Sequence, residues 1–196
     1  MQNDYKKPDR RVVYTKRILR ESLLALMREK PIAHITPTEL CRRAEMNRNT
    51  FYTHYDNPVT LLKSIEGELY EQIRKSIDSS LNGGSISALL TEICQVIYEN
   101  RDLCAVLFSE YGDKDFLRQI IDLAHDLTIV EWRGSGLSSN EELAEMLYCF
   151  SVNGSVAVIQ RWIVDGIDKS PREIARFLEQ TSYFGLQGFI RGRIGG

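Results

Sequence analysis

Arg48, Asn49, Thr50, Tyr52, Thr53 and His54 place six hydrogen-bonding side chains within seven consecutive positions, with no acid among them. A plain core helix has no use for such outward residues. A DNA groove does: an arginine can donate two parallel bonds to a guanine edge, an asparagine can pair with adenine, and a threonine methyl can meet the thymine methyl. Tyr52 and His54 can reach phosphate oxygens. Thr36 and Thr38 can join them from a neighbouring helix start, where free N–H groups favour an anion.

Positioning these groups requires a helix with a buried side. At about 100° per residue, Phe51 and Tyr55 lie about 40° apart on one face, suited to anchor against Leu40, Ala44 and the first helix. Asn49, Tyr52 and Thr53 fall opposite, with Thr50 and His54 on one flank and Arg48 on the other. Just upstream, TPTE (36–39) reads as a helix start: Thr36 caps, Pro37 takes the first helical position, and Glu39 can complete a capping box. That helix stops near Glu45, and Asn47 can cap the next. Two short helices joined by a tight turn, the second presenting polar residues, form a helix-turn-helix.

The rest of the chain reads as helix as well, from apolar residues recurring at three and four. A first helix is expected over about 12–28, with Val13, Leu19, Leu23, Leu24 and Met27 on its apolar face. Before it lies KKPDRR, a basic arm carrying Lys6, Lys7, Arg10 and Arg11. A long helix follows Asn57-Pro58 to about Ser80, with Leu61, Leu62, Ile65, Leu69, Ile73 and Ile77 on its apolar side. Further helices are expected at about 86–100, 102–109, 114–131, 140–165 and 171–191, the last two opened by the caps SNEE and SPRE. The fold class is therefore all-α: an N-terminal three-helix DNA-binding domain over 1–56 with its basic arm, then a helical regulatory and dimerisation domain over 57–196.

Composition fits this division. Residues 1–55 hold 12 Lys+Arg against 6 Asp+Glu, while the remaining 141 hold 13 against 21, so a basic front joins an acidic body although the net charge is only -2. The front suits an anionic partner. No run approaches the roughly 20 apolar residues of a membrane span, and the start lacks the apolar block of a secretory signal, so a cytoplasmic protein without a membrane partner is expected. Four cysteines and three histidines show no metal-ligand spacing, and no metal or cofactor is expected. Cys41, beside Arg42 and Arg43, alone has neighbours that could activate a thiol. Neither a GxGxxG nor a Walker-type string occurs, and RGSG (133–136) is a loop before a helix rather than a strand-to-helix turn, so an enzyme is not expected. A helical interaction module would leave the 48–54 face without a purpose.

The segment ITPTELCRRAEMNRNTFYTHYDNPVTLL (35–62) resembles the DNA-binding end of TetR-family transcriptional regulators, most specifically in Thr50-Phe51-Tyr52-Thr53-His54-Tyr55. The resemblance implies that Thr36, Thr38, Arg48, Asn49, Thr50, Tyr52, Thr53 and His54 occupy positions used for bases and phosphates. Two departures stand out. Glu45 takes the place of the usual turn glycine, at a cost of about 1 kcal/mol if that residue is left-handed. Pro58 stands where a phosphate-holding lysine commonly opens the fourth helix, which shifts weight to the basic arm and to Lys16 or Arg17.

Leu143–Val164 is apolar nearly all round, which suggests burial on two sides, against its own core and against a second subunit. The resemblance implies a two-fold homodimer through a four-helix bundle, with Phe150, Gly154, Ala157, Val158, Phe177, Leu178 and Phe184 at the interface. Two heads then face the half-sites of a palindrome in double-stranded DNA. It also implies a repressor released by a small-molecule effector in the helical body, with Cys104, Phe108, Tyr111, Trp132, Tyr148, Asn153 and Trp162 as candidates to touch it. The alternative is a ligand-independent regulator or coactivator working through a protein partner.

Overall fold

The structure is a computed structural model and describes residues 9–81, 86–134 and 141–191. Among these, nine α-helices and one 3-10 turn make up the regular structure: α1 (Arg10–Met27), the turn Ile32–His34, α2 (Pro37–Arg43), α3 (Arg48–Tyr52), α4 (Pro58–Leu81), α5 (Ile86–Glu99), α6 (Arg101–Leu107), α7 (Lys114–Gly134), α8 (Glu141–Val164) and α9 (Pro171–Arg191). The chain divides into two compact units, one of residues 1–67 with 109–112, the other of 68–108 with 113–196. The division falls inside α4.

Helix starts follow local chemistry. The Ser170 box closes on both sides: Glu173 N donates to Ser170 Oγ at 3.3 Å, and Ser170 N donates to Glu173 Oε2 at 2.8 Å. Its partner's carboxyl is held below the usual range, first by the Ser170 hydroxyl. At the head of α4, Thr60 N donates to Asn57 Oδ1 at 3.0 Å and Asn57 N donates to Thr60 Oγ1 at 3.2 Å. Pro58 fits because its position needs no N–H. The Ser139 cap lies outside the described residues. Helix α1 starts two residues before the periodicity predicts, because Asp9 Oδ1 accepts from Arg11 N at 2.9 Å. Arg10 and Arg11 thus belong to the helix and not to an arm ahead of it.

In the first unit, Leu19, Leu23, Met27, Leu40, Phe51, Leu61 and Leu62 are almost fully buried. The expected apolar stripe of α4 is buried along its length, from Leu61 to Ile77. Glu66 is also buried in that helix, with Lys63 Nζ 2.9 Å from its Oε2. Periodicity gives no sign of that carboxylate.

In the second unit α5 and α9 pack along much of their length, and Ser87 Oγ donates to Glu179 Oε2 across them at 2.8 Å. Helix α6 supplies the buried Leu103, Cys104, Val106 and Leu107. Ala144, Leu147 and Tyr148 of α8 form a cluster with Ile121, Leu143 and Val152. One expectation is overturned here: Glu142–Val164 is long and apolar enough, by length and composition, to cross a membrane. A core or interface helix meets the same test, because both demand a nearly continuous apolar surface.

Both α2 and α8 end in the same way. Met46 N donates to Cys41 O at 2.9 Å and Glu45 N to Arg42 O at 3.3 Å; Ile167 N donates to Trp162 O at 2.9 Å and Gly166 N to Ile163 O at 3.2 Å. These are Schellman caps. The residue that must turn left-handed is Gly166 (φ 87) in the second, where Ile167 (φ 59) follows it in the same region, but Glu45 (φ 49) in the first. Glu45 is exposed, so Glu45→Gly removes little packing. The variant is expected to gain about 1 kcal/mol, less the extra freedom glycine gives the unfolded chain. A higher urea midpoint with unchanged slope confirms it; an equal or lower midpoint removes the strain account.

Candidate nucleic-acid interface

The candidate surface is built on a short helix held from beneath. Asn47 Oδ1 accepts from Asn49 N at 2.8 Å and starts α3. Phe51 is 0% exposed, and its ring meets Tyr52 edge-on at 5.5 Å and Tyr55 at 6.1 Å. With Phe51 inward, Arg48, Asn49, Tyr52 and Thr53 are exposed, and Thr50 and His54 are half-buried beside them. Thr36 and Thr38 are exposed at the start of α2. No acid lies within 48–54 to repel a polyanion.

Hydrogen bonds within the chain sort these groups by what remains for a partner. Thr53 Oγ1 donates to Asn49 O at 2.9 Å, so its hydroxyl hydrogen is committed and the oxygen can only accept, as from a base amino group. Thr36 Oγ1 instead accepts from Glu39 N at 3.2 Å and keeps its hydrogen to donate to phosphate. Arg48 Nη2 donates to Tyr52 Oη at 3.4 Å, and the guanidinium carbon sits 5.8 Å from the centre of the Tyr52 ring. The tyrosine hydroxyl raises the pKa of Arg48, a full cation in any case.

Two ion pairs tie the turn after α1 to α2. Lys30 Nζ reaches Glu39 Oε1 and Oε2 at 2.6 and 2.8 Å, and Arg43 Nη1 reaches Glu29 Oε1 at 3.2 Å. The lysine holds the Glu39 carboxyl below its ordinary value, with smaller help from Arg42 and the Thr36 backbone. Both Glu39 oxygens thus face Lys30, a partner the capping box does not foresee. Partners nine and fourteen residues apart leave no periodic signal in the sequence.

Arg10 and Arg11 are exposed in the first turn of α1, which carries no acid. Cations at the positive end of a helix are disfavoured unless an anion accompanies them, and here the Asp9 cap supplies one. Lys6 and Lys7 lie outside the described residues. Cys41 is not an activated thiol: it is 2% exposed, and burial pushes its pKa up more than Arg48 lowers it.

The expected effector residues are spread over α6, the 108–112 segment, α7 and α8. Tyr111 falls in the first unit, and the other candidates in the second. Tyr148 and Trp162 are buried, and each gives its polar hydrogen to a backbone carbonyl: Oη to Ile121 O at 2.7 Å, Nε1 to Lys169 O at 2.9 Å. Fourteen residues along one helix also separate them by about 21 Å. Cys104 is buried in α6, and Phe108 O accepts from Gln160 Nε2 at 3.2 Å. Asn153 is exposed and turned back on Cys149, donating to its carbonyl at 2.7 Å. The Trp132 side chain lies outside those described.

Helix α8 has an uncovered apolar stripe. Met146 is 63% exposed and Phe150 77%, with Gly154 and Ala157 following at helical spacing; Arg161, paired with Asp165, then interrupts the stripe before Val164, 68% exposed. A Cβ built on Gly154 meets nothing within 4 Å. Phe177 of α9 is 53% exposed, and Val158 is half-buried. Leu178 does not belong with them: at 3% exposure it packs in its own unit, since the next residue along a helix points about 100° away. The Phe184 side chain lies outside those described.

A family model described as the transcriptional regulator C-terminal region, of the TetR type, matches residues 84–183. An uncharacterized HTH-type transcriptional regulator, YxbF of Bacillus subtilis (strain 168), is 39% identical over 59 residues, a match covering 30% of this chain and 16% of that protein. Among solved structures, the dihydroxyacetone kinase operon activator DhaS aligns over 89% of this chain and 97% of its own at a TM-score of 0.59 and 16% identity. NalD, the secondary repressor of the MexAB-OprM multidrug efflux pump in Pseudomonas aeruginosa, aligns over 89% and 96% at a TM-score of 0.61 and 16% identity. At these identities the structural likenesses establish the fold, and the family match covers just over half the chain. An all-α chain with an N-terminal helix-turn-helix and this C-terminal region belongs to the TetR family of transcriptional regulators.

Proposed function

We propose that this chain binds a palindromic site in double-stranded DNA as a homodimer and represses transcription there. The observation that carries the reading is the acid-free polar face of α3, turned outward by the burial of Phe51. Arg48 and Asn49 read base edges; Thr36, Thr38, Tyr52 and His54 approach the backbone, with Arg10 and Arg11 adding charge. The uncovered stripe of α8 supports the dimer, since only 22% of the helix's most apolar window is buried within the chain. A small-molecule effector acting on the second unit releases DNA by favouring one spacing of the heads over another.

A second reading, activation of transcription, is favoured by the likeness to DhaS, whose name makes it an operon activator. Selection of bound sequences from random DNA tests the shared core of both. A palindromic consensus is expected, with affinity falling steeply as salt rises; no enriched sequence refutes DNA recognition. On the selected site, Arg48→Ala is expected to lose about 1 to 3 kcal/mol and to relax one base preference. Unchanged binding would remove Arg48 from the reading set. Reporter transcription from that site then separates repression from activation.

A further inference from the structure

We infer that Tyr52 is a specificity-determining residue that acts by positioning Arg48, and not chiefly as a phosphate contact. This rests on the reading of α3 as the DNA-reading helix. The two residues open and close the same five-residue helix, one turn apart. The Tyr52 ring is fixed from below by its edge-to-face contact with the buried Phe51. Above it the guanidinium is held twice, by the hydroxyl at 3.4 Å and by the ring at 5.8 Å. An arginine otherwise has many rotamers to lose on binding, whereas one already held loses fewer.

The donor count leaves the reading function intact. A guanidinium has five N–H donors, and one directed to Tyr52 Oη leaves four, of which a guanine edge takes two in parallel. The hydroxyl accepts from Arg48 and retains its own hydrogen, so a phosphate bond remains compatible. What distinguishes the two roles is which DNA sequences suffer when the hydroxyl is lost. A phosphate contact is made on every sequence, whereas positioning of Arg48 matters only where Arg48 reads a base.

The test measures binding of wild type, Tyr52→Phe, Tyr52→Leu, Arg48→Ala and the Tyr52→Phe/Arg48→Ala double variant to the selected site and to every single-base variant of it. Tyr52→Phe keeps the ring and its packing; circular dichroism checks the fold of each protein. The expected result is a drop of about 3- to 10-fold in discrimination at the single position that Arg48→Ala relaxes, larger in Tyr52→Leu, with preferences elsewhere unchanged. In the double variant, discrimination at that position equals that of Arg48→Ala alone. Equal weakening on all sequences, or no change, overturns the inference while leaving DNA reading in place. Failure of the wild type to select any sequence overturns both.

Discussion

Phe51→Ala is expected to remove about 3 to 5 kcal/mol from the folding stability of the first unit, the cost of emptying a fully buried aromatic site. Phe51 is 0% exposed and is the buried residue of α3, a helix of five residues. Isolated helices of that length do not form in water, so α3 exists only through its tertiary anchor. A unit of this size carries roughly 3 to 10 kcal/mol in all, and the substitution therefore consumes most of it. Thermal or urea unfolding should show an early transition, and binding to the selected site should vanish with it. Phe51→Leu, which refills part of the space, should recover much of both. An Ala variant that unfolds with the wild-type midpoint would mean that other contacts hold α3.

Phe150→Glu is expected to shift the protein from dimer to monomer at micromolar concentration. The side chain is 77% exposed and sits between Met146 and Gly154 on the α8 stripe. In a two-fold interface each substitution acts twice, and burying one phenylalanine is worth about 1.5 to 3 kcal/mol. The pair thus accounts for about 3 to 6 kcal/mol, before the added cost of two carboxylates in an apolar seam. That corresponds to at least a hundredfold weaker association. Sedimentation velocity decides: a wild-type dimer and a variant monomer support the stripe as the interface, whereas two dimers place it elsewhere. Leu147→Glu is not an equivalent control, because Leu147 is buried within the protomer and its loss would unfold the chain.

What the sequence made legible was local. Prolines at 37, 58 and 171, with caps at Thr36, Asn57 and Ser170, mark helix starts to within a residue because the chemistry of a first turn involves only four neighbours. The two faces of α3 follow from the same locality, since Phe51 cannot point inward without turning Asn49, Tyr52 and Thr53 out. Longer-range choices were hidden. Helix α8 is apolar nearly all round, so no pattern tells that Leu147 and Tyr148 face the core while Met146 and Phe150 face away. Leu178 and Phe177 pose the same ambiguity on α9. The Lys30 bridge to Glu39, and the grouping of 109–112 with the first unit, depend on where distant segments meet. The hold of Tyr52 on Arg48 was open to view at four-residue spacing, but a tyrosine assigned to phosphate gives no reason to look for it.

The left-handed Glu45 bears on the history of the chain as well as on its turn. Glutamate codons (GAA, GAG) become glycine codons by changing one base, so the less strained residue is a single point mutation away. The expected net gain at so accessible a position goes unclaimed when selection acts only against falling below the stability that function requires. Under selection at raised temperature, the codon for residue 45 is therefore an early place for a heritable change to appear.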